Sequence, residues 1–523
     1  MGADWRRYAA TSLTAGALLL SPHPAAAQSF VPPPRSIADI TAVLDSDKPD
    51  PARLARYAAQ ADAQPPAGAS GTTLAKFYRE SAVAASQVGR AEQWIADGKE
   101  ALRLYAEAHD DGGREAMLNE VSAAEGAVGN YTASIDYARQ RIEASAYFAG
   151  SQISAHGGLA GAFAFAGKMA DAQAELDQIP PLLTRMQNSP RVERLSVTIA
   201  QANAAHAVGA VYEVQGRYAE AERQYLDGIA KFTVVLQAYD SWLTDRKPSR
   251  ELMQNGLIAR RNRLAYAVAK QGRLAEAESI ARQALLESLH LNGRYAAATA
   301  GTLGTLATMV LDEGRSDDAK RLAETGVDIY QKIGASPGAR PVTNARLAVA
   351  NALAVKGAWP DAMAAFDEAG RGIGPQDQSA RALFNGALAR IIAEIKTGRT
   401  REAAEQVSRV AAAREQNLGT SHPATLDAQG LRAAALYFAG RKDEALADFR
   451  AAVPKLIQAS RVSDSGEGAP ILREMLLRFV CWRPISGCSP SARMRPRPAR
   501  PSRSPTWRGT RRCNERSRKV PPG

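Results

Sequence analysis

The residues of this 523-residue chain that could do chemistry are six histidines, three cysteines, two acid pairs and a set of recurring asparagines. The histidines stand at 23, 109, 156, 206, 290 and 422, with none four positions from another and none beside a cysteine. A helical His pair and a mixed His/Cys zinc pattern are therefore both missing. Cys481, Cys488 and Cys513 all lie near the C-terminus, so the body of the chain has no thiol for a disulfide framework or a metal site. Asp317-Asp318 and Asp443-Glu444 sit where a helix begins, a place that favours acids for electrostatic reasons unrelated to catalysis. No phosphate-cradling glycine loop precedes a Lys-Ser/Thr, and no strand–turn–helix nucleophile elbow is present. Aromatic residues fall at core periods, so no cofactor or metal is expected. The asparagines remain: Asn203, Asn344 and Asn385 each stand 13 residues before a glycine, Asn262 stands 10 before one and Asn351 stands 6 before one. An amide side chain can donate to a carbonyl and accept from an N–H at once.

The glycines that set this register belong to a repeat. Gly129, Gly167, Gly216, Gly272, Gly314, Gly357, Gly398 and Gly440 follow each other at intervals of 38, 49, 56, 42, 43, 41 and 42 residues. A phrase recurs around them, as in Gln215-Gly216-Arg217-Tyr218-Ala219-Glu220-Ala221 and Gln271-Gly272-Arg273-Leu274-Ala275-Glu276-Ala277. The fifth residue after each glycine is Ala172, Ala221, Ala277, Ala319, Ala362, Ala403 or Ala445, and Ser134 in the remaining case. Two antiparallel helices joined by a tight turn approach most closely just past that turn, where only a small side chain fits. One helical turn later a larger residue often fills the groove: Leu176, Tyr225, Phe366, Val407 or Phe449. The glycine supplies the left-handed conformation that ends the first helix.

This pattern resembles the tetratricopeptide family, above all its kinesin-light-chain-like class with a repeat of about 42 residues. The most specific match is Leu418-Gly419-Thr420-Ser421-His422-Pro423-Ala424-Thr425-Leu426, followed by Ala435-Leu436-Tyr437 and Gly440-Arg441. His422 belongs to that linker, where it is expected to cap or pack. The resemblance spans roughly residues 76–456, strong from 200 onward and degenerate before. Gly89 with Ala91 suggests a further unit whose second helix fits poorly. The 56-residue interval calls for longer helices around Tyr239–Arg263. Short helices are expected at Ile37–Leu44 and Pro51–Ala61 in an otherwise Pro/Ala-rich segment, 28–75.

The resemblance implies an all-α, right-handed superhelical solenoid whose concave face is lined by the first helix of each pair. By the family's pattern, the positions 13, 10, 6, 3 and 2 before each glycine face that groove. Asn203, Asn262, Asn344, Asn351 and Asn385 would then form an amide ladder able to clamp an extended peptide, as in relatives of this class. Solvated or helix-capping asparagines are the competing reading. Groove charge is mixed (Glu213, Lys270, Asp312, Lys396), which leaves the sign of the ligand open.

Charge and the two termini complete the picture. Residues 478–523 hold 13 Lys/Arg and one acid, Glu515, so residues 1–477 carry 53 of each sign and the net +12 belongs to the tail. A neutral body offers no footprint for nucleic acid. Arg6 and Arg7, the apolar run Tyr8–Leu20 and the small residues Ala25 and Ala27 read as a secretory signal peptide, 1–27, cut after Ala27. That implies a periplasmic or secreted protein, with no membrane insertion after cleavage. The partner expected is a peptide or protein, and nothing in the sequence bears on oligomeric state. Residues 457–478 read as a linker and last helix. From 479 to 523 the composition breaks into Arg-Pro and Arg-Ser repeats with eight of the 28 prolines. This is either a disordered basic tail or a shifted reading frame, since the codons of 481–489 and 505–517 permit helical, amphipathic phrases in another frame. Those phrases resemble the segment leading into the caspase-like CHAT domain of bacterial repeat–CHAT proteins. On that resemblance, the array would be the recognition arm of a cysteine peptidase whose catalytic domain is missing here. Either way, no catalysis is expected of this chain.

Overall fold

The computed structural model describes residues 32–482, apart from 47–50, 129, 146–147, 244–246, 375–377 and 463–470. The signal peptide expected at 1–27, Gly129 and everything beyond Trp482 therefore lie outside the described residues. Two short helices come first, α1 (Ala38–Ser46) and α2 (Pro51–Asp62). Antiparallel pairs follow: α3 (Gly71–Gln87) with α4 (Ala91–Glu107), α5 (Asp111–Val128) with α6 (Tyr131–Ala144), and α7 (Ala149–Phe165) with the broken partner α8 (Met169–Asp177) and α9 (Ile179–Gln187). Next are α10 (Arg194–Val214) with α11 (Tyr218–Gln237), α12 (Arg250–Ala269) with α13 (Leu274–Asn292), α14 (Ala297–Asp312) with α15 (Ser316–Lys332), and α16 (Arg340–Lys356) with α17 (Trp359–Arg371). The last two pairs set α18 (Gln378–Asn385) and α19 (Leu388–Lys396) against α20 (Thr400–Leu418), and α21 (Pro423–Phe438) against α22 (Lys442–Val462); α23 (Ile471–Trp482) follows. The described residues contain no strand.

The small residue past each turn does what its spacing implies. Ala172, Ala221, Ala277, Ala319, Ala362, Ala403 and Ala445 are at most 1% exposed. Ser134 takes the same place and trades hydrogen bonds with Ser122 across its pair, at 2.8 and 2.9 Å. One turn on, Tyr225, Phe366 and Val407 are sealed in the core. Burying such a side chain contributes about 1.5–3 kcal/mol. The described turn glycines adopt φ between 73° and 90°, the left-handed region that other residues enter only at a cost.

Two expectations change. The pair around Gly89 is fully formed and opens at Gly71. Its second helix was hard to read because the sizes are reversed: Trp94 holds the usual alanine position, and Gly98 stands where the large residue belongs. A Cβ on Gly98 would come within 3.1 Å of Val121. The 56-residue interval, for its part, is met by long helices on either side, α11 and α12 with 20 residues each, and by a stretch between them that is not α-helix where it is described. A 3-10 turn at Tyr239–Ser241 ends the preceding helix, and α12 starts only at Arg250, capped by Ser249 accepting from the Leu252 N–H at 3.1 Å. Pro248 keeps the segment out of helix. Tyr239 donates to the Pro248 carbonyl at 2.7 Å, and Lys247 donates to the carbonyls of Tyr239 and Trp242, so the insertion is a pinned loop.

First helices pack on first helices, forming a layer (α7 on α10, and α12 on α14, α14 on α16, α16 on α19 and α19 on α21). That layer also meets itself across successive superhelical turns, α3 touching α14 and α5 touching α18. The turns stack edge to edge. A Cβ on Gly89 would lie 2.8 Å from the Ala335 Cβ, one on Gly167 2.7 Å from the Asn417 Cβ, and one on Gly216 3.2 Å from Pro423. The corresponding atoms on Gly272, Gly314, Gly357, Gly398 and Gly440 would meet nothing within 4 Å. Early turns thus rest on late linkers, and the superhelix is closed on itself.

Candidate functional site

The inner face is built from the first helices, and its two halves differ. In the C-terminal half, α23 lies across α14, α16, α19 and α21, all of them first helices. Its apolar side is sunk into that layer: Leu476 is 3% exposed, Phe479 7% and Val480 0%. The Phe479 ring sits 5.4 Å from that of Phe438 and 5.1 Å from the Lys396 ammonium, which also lies 5.7 Å from the Trp359 ring. Val480 closes over Gly430, where a Cβ would come within 3.5 Å of it. The helix runs to Trp482, so Phe479 and Val480 pack with the array and not with the tail drawn from 479 onward.

In the middle of the array a polar row crosses three first helices. Asn203 on α10 donates to the Ser154 hydroxyl on α7 at 3.2 Å and accepts from the Arg260 guanidinium on α12 at 2.7 Å. Arg260 also donates to the Gly256 carbonyl at 3.1 Å and lies 4.1 Å over the Phe232 ring. None of the described residues pairs a carboxylate with it, and burial pulls its pKa down to about 10. Its neighbour Arg263 is neutralised, with Glu213 accepting from it at 3.0 Å and from the Tyr225 hydroxyl at 2.7 Å. Burial raises the pKa of Glu213 against the pull of Arg263. Burial, then the charges of Arg260 and Arg263, drive His206 down to about 3.

Lys270 and Asp312 belong to the place where the second superhelical turn meets the first. Lys270 lies 4.9 Å over the Tyr266 ring. Tyr266 first, then Asp312, Tyr218 and Asp427, hold it protonated against desolvation. Burial lifts Asp312 to about 6, with Lys270 pulling the other way.

The five asparagines all sit on first helices but do not form one uniform ladder. Asn203 is already engaged through both ends of its amide. Asn262 donates to Thr302 at 3.2 Å while its Oδ1 is buried without a partner, as is the Oδ1 of Asn351. Asn344 and Asn385 are exposed, and the Asn385 carbonyl accepts from Gln406 at 3.0 Å. No described hydrogen bond joins Asn344, Asn351 or Asn385 to the others. None of the five caps a helix N-terminus, because Asn203 and Asn344 lie inside their helices and Asn385 ends its own. His422 does cap: its Nδ1 accepts from the Ala424 N–H at 3.1 Å. Sequence reasoning passed over Arg260 and Arg263. Their signal was the stripe Gly256, Arg260, Arg263 and Lys270 along one side of α12 and its C-cap, at spacings of four, three and seven. Among the described residues, no three His, Cys, Asp or Glu side chains converge as metal ligands, and no helix is long and apolar enough to cross a membrane.

No protein-family model and no curated protein matches the chain. Solved structures similar to it include BtubC (BKLC) from P. vanneervenii, 18% identical at a TM-score of 0.34, covering 50% of this chain and 92% of that one. Another is a Podosopora anserina kinesin light chain with nearly identical TPR-like repeats, 20% identical at a TM-score of 0.29, covering 40% of this chain and 98% of that one. A third is a Rap protein complexed with competence and sporulation factor, 12% identical at a TM-score of 0.48, covering 74% of this chain and 99% of that one. The fold is a tetratricopeptide-like solenoid. Its stacked helix pairs, buried small residues past each turn and left-handed turn glycines establish this from the chain's own geometry.

Proposed function

We propose that this protein is an exported scaffold that binds a peptide or a segment of a partner protein on its inner face and carries out no reaction itself. The observation that supports this most directly is α23. A helix of the chain already lies along the first-helix layer, held by apolar contacts and by Lys396 over Phe479, so the face accepts a peptide segment. In the other half of the face, the row Ser154–Asn203–Arg260 is only partly buried and ends in a cation with which no acid pairs among the described residues. A carboxylate-bearing segment would complete it. A random peptide library displayed on phage and selected on the full chain tests this. Asn203→Ala and Arg260→Met should keep their helicity and lose roughly tenfold or more in affinity for the selected peptides, the scale of one charge-assisted hydrogen bond. A library that yields no binders, or binders indifferent to both changes, would sink the reading. Mass spectrometry of the mature N-terminus tests export, with Gln28 as the expected first residue.

A second reading makes the array the recognition arm of a CHAT-type cysteine peptidase. It is favoured by the abrupt change of composition after α23. Sequencing the gene decides it. A one-base correction upstream of Cys481 should open a long frame with a His and a Cys in peptidase-like contexts. An early stop in that frame would remove this reading.

A further inference from the structure

The first described helix does not cap the first repeat. It reaches across to the fifth and sixth, about 250 positions away in sequence. Ile37, just before α1, and Ile40 and Leu44 within it are spaced i, i+3 and i+7, share one side and are 1, 1 and 2% exposed. They belong to the same buried cluster as Leu285 and Leu289 of α13, Leu303 of α14 and Ile329 of α15. Two arginines grip its ends. Arg282 donates to the Asp39 carboxylate at 2.6 Å, to the Ser36 carbonyl at 2.8 Å and to the Pro34 carbonyl at 3.4 Å. Arg294 donates to the Leu44 carbonyl at 2.7 Å, one of the carbonyls that a helix leaves unpaired at its C-terminus. Arg282 is itself fixed from below: it donates to Glu278 at 2.8 Å, and Glu278 takes Arg315 at 3.0 Å on both oxygens. On the other side of residues 47–50 the chain is anchored to the first repeat. There α2 packs on α3, Arg90 pairs with Asp62 at 2.5 Å, and Gln93 donates to the Ala61 carbonyl at 2.5 Å. The segment is thus tied at one end to the first superhelical turn and at the other to the second.

We propose that the surface of α13 and of the turn after it is a helix-docking site separate from the inner face, and that residues 34–46 are its ligand in cis, a clasp that holds the two superhelical turns together. The site reads backbone carbonyls ahead of the helix, an acid in its first turn, three apolar positions and a last-turn carbonyl. Its ligand class is therefore a short amphipathic helix with acidic ends. Taking the inner face as the binding surface proposed above, release of the clasp widens access to it by freeing the contacts at Gly89, Gly167 and Gly216.

The test uses the full chain and its Ile40→Glu and Leu44→Ser variants, both altered in the arm alone, probed with a fluorescein-labelled synthetic peptide of residues 32–46. The unaltered chain, with its site filled, should bind the peptide poorly. Ile40→Glu should release its own arm and bind the peptide saturably, at an affinity at least about tenfold higher. Hydrogen exchange at the amides around Gly89, Gly167 and Gly216 should quicken by a similar factor. Should Ile40→Glu not fold, Leu44→Ser carries the same comparison, since it removes an apolar anchor of the arm and leaves Arg282, Arg294 and the rest of the docking surface as they are. A folded variant that fails to bind the peptide, or peptide binding equal in variant and unaltered chain, overturns the docking site. Peptide binding without faster exchange at the three glycines overturns the clasp. Inner-face ligands play no part in these readouts, so the library selection and this experiment fail independently.

Discussion

At the scale of single residues, size and backbone conformation carry most of the information. Ala277 is fully buried at the closest approach of α12 and α13, so Ala277→Trp should overpack that contact and destabilise the array by roughly 1–3 kcal/mol in urea unfolding. A neutral result would mean that the pair is built differently. Gly167 and Gly398 share a left-handed φ, 77° and 90°, but only the first has a neighbour against it. Gly398→Ala should therefore cost about 1–2 kcal/mol for the backbone alone, and Gly167→Ala clearly more, because Asn417 must also move. Equal losses in a thermal melt would dissolve the turn-on-turn contact. The alanines and glycines could be read from the sequence because they obey a rule local to each pair. The Asn203–Arg260 contact could not, since it joins residues 57 apart whose approach depends on how the repeats stack.

Titration belongs to the same scale, and two groups act in opposite senses. His206 is held neutral in the fold, down to about 3, whereas an unfolded histidine protonates near 6.5. Between those values the unfolded chain binds the extra proton, so stability falls as pH drops from about 6.5 toward 3. Asp312 is lifted to about 6 from an ordinary 3.8, so there the native state binds the proton first and stability falls as pH rises through that window. His206→Gln should flatten the acid limb of a stability–pH profile, and Asp312→Asn should steepen it. Profiles that do not move in these opposite directions would contradict the burial described for the two groups.

Among the secondary-structure elements, what escaped the sequence was irregular. The first repeat carries its large residue at Trp94, one helical turn early, and so broke the pattern used to find it. Longer helices were expected around the insertion before α12 because the 56-residue interval called for them, yet Pro248 and Ser249 delay the start of α12 and side chains pin the residues before it. The helix α23 was expected as a terminal helix, but its position inside the superhelix follows from an apolar side that matches four first helices at once. Ending the chain after residue 482 should leave the melting temperature unchanged, given the charged, Pro-rich composition beyond it. Ending it after residue 470 should lower the melting temperature and raise binding of a hydrophobic dye, because Trp359, Phe438 and Gly430 lose their cover. Identical melts for both would mean that α23 contributes nothing to the array.

For the molecule as a whole, a repeat array is ordinarily a one-dimensional object, each unit stabilised by its neighbours alone. Here the arm and the three contact glycines couple units four to five repeats apart, and α23 ties together the first helices of four successive pairs. Denaturant unfolding should therefore be a single transition monitored equally by probes in early and late repeats, where an open solenoid would fray from its ends. The arm also imposes an order on biosynthesis. Leu44 leaves the ribosome 250 residues ahead of Arg294, the side chain that holds its carbonyl. At about 5–20 residues per second, that is roughly 10–50 s in which Ile37, Ile40 and Leu44 have no surface to cover them. A nascent chain of this protein is exposed to chaperones at its very front for as long as its middle is still being made.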